Sequence, residues 1–327
     1  MKFSVASAGL MATLALAAAT PTSSEVVNIA EIAKRASITD SGTGYASQNG
    51  GTTGGAGGTT TTVSTYAQFT AAVAGTAKKV VVVSGAITQT ADQAKVGSNT
   101  SIIGKNSGAK LTGFGVLVKE ATNVIIRNIA IAKVLADNGD AIGVQLSTNV
   151  WIDHVDVSSD MTHDKDYYDG LLDFTHAADF VTVSNSYIHD HWKASLVGHS
   201  DDNSAEDTGH LRVTYSNNYF NNINSRTPSI RFGTGHIFNN YYNAVADGIN
   251  TRDGAQVLVE SNVFVDSKKP LYSTDSGYAV ATDNDFGGAS NAALAGTLKT
   301  VPYSYTKVAN TAVKAAVVGS AGNTLSF

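Results

Sequence analysis

Cysteine is absent from the 327-residue chain, which removes disulfides and excludes soft metal sites built from thiolates. Packing and backbone hydrogen bonds must therefore hold the fold. Charge is also scarce: 15% of residues are charged and the net charge is −5, which excludes a general nucleic-acid binder. A mildly acidic chain can still bind a polyanion through a local cationic patch or a metal ion. The apolar, Ala-rich run over residues 5–19 falls short of the ~20 residues a membrane span needs, so no membrane partner is expected. With Lys2 ahead of it and small residues at Ala17 and Ala19, it reads as a secretory signal.

What is present is apolar material: 43% hydrophobic residues, enough for a sizeable core and too much for a disordered chain. The expected organisation is a signal peptide over 1–20, a pro-segment to 35 ending in the dibasic pair Lys34-Arg35, and a single domain over 36–327. Residues 40–60 are rich in Gly, Ser and Thr; lacking a P-loop lysine and its helix, they read as an irregular surface segment. A short helix is expected over 66–73 and a buried strand over 79–84. Asn99-Thr100-Ser101 is a glycosylation sequon.

From there a pattern recurs. Val124-x-Ile126-x-Asn128, Val150-x-Ile152-x-His154, Val181-x-Val183-x-Asn185 and Val213-x-Tyr215-x-Asn217 are followed by three more units. These are His236-x-Phe238-x-Asn240, Val257-x-Val259-x-Ser261 and Val280-x-Thr282-x-Asn284. The intervals between the closing polar residues are 26, 31, 32, 23, 21 and 23. Strand units at this period indicate a solenoid, here a single-stranded right-handed parallel β-helix. Inward Val and Ile would stack at about 4.8 Å per turn, and the closing Asn residues would form a ladder of amides. An antiparallel sandwich would need regular Asn-Gly hairpin signals that the chain lacks.

Chemistry is densest between Asp140 and Arg231. Asn138-Gly139-Asp140 precedes Trp151-Ile152-Asp153-His154, then Asp169-Gly170-Leu171-Leu172-Asp173. Trp192-Lys193-Ala194-Ser195-Leu196-Val197-Gly198 and Arg226-Thr227-Pro228-Ser229-Ile230-Arg231 follow. In their order and spacing the WIDH, DGxxD, WKxSLVG and RxPxxR segments resemble the pectate lyase superfamily (polysaccharide lyase family 1), most closely the fungal secreted pectate lyases. The resemblance covers roughly residues 60 to 290.

The carboxylates of Asp140, Asp169 and Asp173 are hard oxygen donors on successive repeats, a set that suits Ca²⁺. In a straight strand Asp169 and Asp173 would lie about 13 Å apart, so sharing one ion requires a bend, expected at Gly170. The resemblance assigns calcium to these three positions, catalysis to Arg226, and substrate carboxylates to Lys193 and Arg231. Polygalacturonate, with one carboxylate per sugar, is the implied partner of a secreted, monomeric chain. The implied reaction is a calcium-assisted β-elimination giving 4,5-unsaturated oligogalacturonides. Two other enzymes share the architecture. A pectin lyase would lose the acidic cluster, and a polygalacturonase would need paired carboxylates holding a water. A non-catalytic wall-binding β-helix would need neither Arg226 nor the acids. His154 and Asp153 look like a catalytic pair, but His154 stands where other units place Asn. Its ring is expected to face inward, with Trp151 and Asp153 outward against a loop. No serine with a nearby base supports a hydrolytic triad.

Overall fold

A computed structural model describes residues 36–327; the signal expected over 1–20 and the pro-segment to 35 lie outside the described residues. Every pairing within the three sheets is parallel, and the sheets contain eleven, eight and nine strands. Each turn of the chain visits the first sheet, then the second, then the third. One turn, for example, runs Thr148–Asp153, Asp156–Ser158, Leu172–Thr175; the next runs Asp179–Ser184, Tyr187–Lys193, Leu196–Val197. About eleven such turns stack as a parallel β-helix.

The alternation seen in the sequence sets the register. Val150 and Ile152 pair with Val124 and Ile126 on one side and with Val181 and Val183 on the other, and all six are fully buried. Side chains of like shape therefore stack on themselves from turn to turn. Phe220, Tyr242 and Phe264 form a column inside the coil, with ring centroids 4.8 and 4.1 Å apart and nearly parallel planes. The expected helix is present at Tyr66–Val73, capped by Thr65 and burying Phe69 and Val73. Phe69 packs on Phe114 at 5.8 Å, so the helix covers the apolar N-terminal end of the coil. Another helix, Asn310–Val317, covers Tyr241 and Val263 of the second sheet.

The amide ladder exists, but with a different membership. Asn218, Asn240, Asn262 and Asn284 donate Nδ2 to the next Oδ1 at 2.9, 2.9 and 3.0 Å, with a uniform spacing of 22 residues. Each acceptor also takes a backbone N–H from the turn before. Only Asn240 and Asn284 of the expected set belong to this column. Asn128, His154, Asn185, Asn217 and Ser261 lie one residue earlier, as do Asn239 and Asp283, all with φ between 49° and 57°. They form the left-handed corner after the first sheet, a conformation that Asn tolerates better than most residues. The His236 and Val280 units are accordingly shifted by one: Gly235 pairs with Val257, and Leu258 with Val280. The polar signal thus marks two adjacent functions, a corner and then a ladder rung.

The Gly-rich segment is irregular but not loose. Residues 36–58 lie across the outer face of the first sheet, where Tyr45, Ala46 and Gly55 donate backbone N–H groups to Thr214, Thr182 and Ser101. A Cβ on Gly55 would meet the Lys79 carbonyl oxygen at 1.7 Å, so only glycine permits this approach. The Asn99 side chain donates to the Thr76 carbonyl and accepts from Asn123, and the sequon's Ser101 is fully buried.

Asn240 is buried with its Nδ2 and Oδ1 both engaged. Asn240→Ala removes the acceptor of the Asn218 backbone N–H and of one Asn218 Nδ2 hydrogen, together with one of the two donors to Asn262 Oδ1, and is expected to cost about 3 kcal/mol. The thermal unfolding midpoint should fall by several degrees; an unchanged midpoint would show that the ladder does not stabilise the coil.

Candidate functional site

The bends leading from the second sheet to the third stack on one another, and they carry the chemistry. Ala141 N–H donates to the Gly170 carbonyl, Leu171 N–H to Ala194, Ala194 N–H to Ser225, and Ser195 N–H to Arg226 at 2.8 Å. Asp140, Gly170, Lys193 and Arg226 are thereby placed on four successive turns of one wall. Residues 159–169 form an insertion that stands beside this wall.

Gly170 is the centre of the acidic half. Its N–H donates to Asp140 Oδ1 at 2.9 Å. A Cβ there would lie 2.4–2.7 Å from the carboxyl atoms of Asp173, so the Asp173 carboxylate rests against the bare Cα. The Asp173 side chain lies over Gly170, and the chain bends at the next residue, Leu171, rather than at Gly170 itself. Asp173 Oδ1 accepts the Leu196 N–H at 3.0 Å. Burial pushes the Asp140 carboxyl up to about 6, with the Asp169 charge adding to the rise. Burial and the neighbouring Asp140 push Asp173 well above the usual carboxylate range. Asp169 stands off from this pair: its side chain is 45% exposed and leans towards Lys193, 3.7 Å away. Among the described residues no three such groups are gathered closely enough to enclose an ion.

Lys193 also reaches Asp166 at 3.1 Å. Arg226 has φ 63° and precedes the cis Thr227–Pro228 peptide. A left-handed backbone at a bulky residue costs about 1–3 kcal/mol and is found where the surroundings over-determine it. The Arg226 charge lowers both Asp140 and Asp173, yet its guanidinium has no ion-pair or hydrogen-bond partner among the described residues. Arg231 lies at the far end of its strand, Ser229–Arg231. It is engaged there by Asp201 at 2.5 Å and the Gly198 carbonyl at 2.9 Å. The structure thus groups Asp140, Asp173, Asp169, Lys193 and Arg226, and holds Arg231 in a separate charged cluster.

Two participants were not visible as such in the sequence. His191 is buried between the Ser159 hydroxyl and the Asp169 carbonyl, both at 2.5 Å. Burial lowers its pKa to about 4, so it is a neutral strut under the loop that carries Asp169. Arg252 pairs in register with Arg231 and bonds Asp201 and Asp275 at 3.1 Å. Its alignment with Arg231 depends on the strand register rather than on a motif.

The Asp153–His154 pair lies on the outer side of the first sheet. His154 does not point into the coil: it occupies the left-handed corner and its Nδ1 bonds Asp153 at 2.8 Å. Burial raises the Asp153 carboxyl, but His154 and then Arg127 outweigh it and hold the group at about 2. Arg127 extends the chain of contacts to Asp40 and the Ser37 carbonyl, and Trp151 packs beside Ile38 and Phe327. As expected, Trp151 and Asp153 face outward and brace a covering segment. Ser195 is fully buried against Leu172 and Tyr215; the serine that does meet a histidine, Ser159 on His191, was not expected from the sequence and is itself buried.

A profile described as pectate lyase matches residues 6–326. The pectate lyase A of Aspergillus niger is 68% identical over 326 residues, covering 100% of this chain and 99% of that one. That of Emericella nidulans is 67% identical over 327 residues, with the same coverage. The chain belongs to the pectate lyase family. It is a lyase acting on polysaccharide. Among solved structures, a pectate lyase from Bacillus sp. N165 in complex with trigalacturonate is similar with a TM-score of 0.77 and 36% identity. The match covers 86% of this chain and 98% of that one. A pectate lyase variant from Xanthomonas campestris gives 0.72 at 28% identity, with the same coverage.

Two outcomes test this geometry. Gly170→Ala should leave the coil folded by circular dichroism but reduce lyase turnover by about 100-fold or more, because a small displacement of reacting groups is that costly; unimpaired turnover would show that Asp173 need not rest on Gly170. Asp153→Asn should cost about 3–5 kcal/mol, as expected for one partner removed from a buried ion pair, with kcat at a permissive temperature unchanged. A carboxyl held at about 2 contributes stability above its unfolded pKa near ~4 and loses it as pH falls through about 2. The acid limb of stability between those values should flatten in Asp153→Asn. Loss of turnover without loss of stability would instead give the pair a chemical role.

Proposed function

We propose that the chain cleaves unesterified polygalacturonate by calcium-assisted β-elimination, outside the cell. The observation that carries this reading is the adjacency of the half-buried Asp140 and the buried Asp173 carboxylates to the Arg226 guanidinium, which has no acid partner among the described residues. The donor set fits a hard cation: it is all oxygen and carries excess negative charge, with Asp169 raising the pKa of Asp140 and Asp140 raising that of the buried Asp173. Asp140, Asp169 and Asp173 would hold it. Bound there, Ca²⁺ would draw electron density from a uronate carboxylate and stabilise enolate-like charge.

The remaining steps belong to the chain's own residues. Lys193 and Arg231 bind further carboxylates of the polymer, guanidinium in particular matching carboxylate geometry. Arg226 faces the proton on C5, alpha to the carboxylate. As that proton leaves, its electron pair forms the C4–C5 double bond, the bond from C4 to the glycosidic oxygen breaks, and the departing oxygen is protonated. No water is consumed. Free arginine holds its proton above pH ~12, so the reaction should speed up into the alkaline range. The acids at 140, 169 and 173 favour this reading over a calcium-independent pectin lyase. Export rests on the signal read at 1–20.

Digests of polygalacturonate should gain ultraviolet absorbance from the unsaturated ends, and chelator should abolish the gain until Ca²⁺ is restored. Reducing ends formed without absorbance would indicate a hydrolase, and full turnover in excess chelator would remove calcium from the account. Arg226→Lys should lower kcat by about 10²–10⁴-fold, the usual contribution of a group acting on a transferred proton, with little change in KM. Near-normal kcat would place the base elsewhere.

A further inference from the structure

Residues 199–210 form an insertion between Leu196–Val197 and Arg212–Ser216. It is fastened to the coil at the corner that follows the third sheet. Asp207 is fully buried and accepts the Ala177 N–H at 2.7 Å and the Asn203 amide at 2.9 Å. Glu206 meets His176 at 2.9 Å, and the His176 and His199 rings stack with centroids 4.1 Å apart. Folded back in this way, the insertion delivers Asp201 to the end of the third sheet.

There Asp201 lies between two guanidinium groups. Arg231 and Arg252 occupy paired positions on neighbouring strands, about 4.8 Å apart in the hydrogen-bonding direction, where like charges repel. Asp201 accepts from Arg231 Nε at 2.5 Å and from Arg252 Nη2 at 3.1 Å through both of its oxygens. The neighbouring Asp253 does not replace it. Its Oδ2 is 3.4 Å from the same Nε and forms no hydrogen bond among the described residues. With Gly198 taking Nη1, Arg231 has its Nε edge fixed and its Nη2 without a protein acceptor among the described residues.

We propose that Asp201 is a positioning residue for the lyase reaction: it clamps the Arg231 guanidinium so that the free edge meets a uronate carboxylate of the polymer. This rests on the reading of Arg231 as a substrate-binding residue. Asp201 itself touches no reacting atom. Its side chain is 54% exposed while that of Arg231 is 10% exposed, so the clamp is reached from solvent and its removal leaves the coil intact.

The sign of the effect on KM separates a clamp from a mere charge. An acid near a groove for a polyanion repels the substrate, so if Asp201 acted only through its charge, Asp201→Asn would lower KM. As a clamp, its loss releases Arg231 and weakens binding shared by ground and transition states, which raises KM and spares kcat. Steady-state kinetics on polygalacturonate should show KM raised about tenfold in Asp201→Asn, the scale of one charge-assisted hydrogen bond, with kcat within about twofold. The unfolding midpoint should be unchanged, and Asp201→Glu should recover most of the loss. A KM equal to or below wild type in Asp201→Asn, while Arg231→Lys raises it, would overturn the clamp and leave the reading of Arg231 intact. Wild-type KM in Arg231→Lys would overturn that reading, and the clamp with it.

Discussion

Everything in this molecule depends on the in-register stacking of parallel turns. Because each turn hydrogen-bonds the next, every corner must fall above the one before it, and a side chain's neighbours are its counterparts one turn away. That constraint explains why rings stack on rings from Phe220 to Phe264 and why amides stack on amides from Asn218 to Asn284. It also dictates where variation can occur. Extra residues must leave the coil at a bend and return to the same register. The insertions at 159–169 and 199–210 do so, and each brings charged residues to the wall.

The site is consequently a product of the lattice rather than of any one segment. Asp140, Gly170, Ala194 and Arg226 are neighbours because four consecutive bends are bonded to each other. The arrangement is costly to the apo fold. A buried carboxylate, Asp173, stands beside the half-buried Asp140, and like charges removed from water are stable only when a cation or proton compensates them. Arg226 stands in a left-handed backbone within range of both. On the opposite side of the coil, Asp153, Arg127 and Asp40 form a fully compensated network. The same residue types give rigidity where their partners are supplied and reactivity where they are not.

The sequence showed this unevenly, for physical reasons. Period-two alternation of Val and Ile revealed the strands, and the recurring polar residue revealed the turn length. It did not distinguish the left-handed corner from the ladder rung one residue later, since Asn serves both. The doublets Asn217-Asn218 and Asn239-Asn240 hold that distinction. The distance between Asp169 and Asp173 pointed to a bend at Gly170; the bend falls at Leu171, and what Gly170 supplies is room for the Asp173 carboxylate. The role of His191 was hidden, because its partners are a hydroxyl on another turn and a backbone carbonyl. Arg252 was hidden because only the register aligns it with Arg231, and Asp201 because an insertion folds it back onto that pair. His154 looked catalytic beside Asp153, and burial of the whole network is what makes it structural.

The central claim is that the carboxylates around Gly170 form a cation site. Calorimetric titration of the folded, metal-free chain with Ca²⁺ tests it most directly, in the wild type and in Asp173→Asn. The account predicts saturable binding in the wild type that is lost or greatly weakened in Asp173→Asn, with both proteins folded. Equal binding in the two, or none in the wild type with or without oligogalacturonate present, would contradict it.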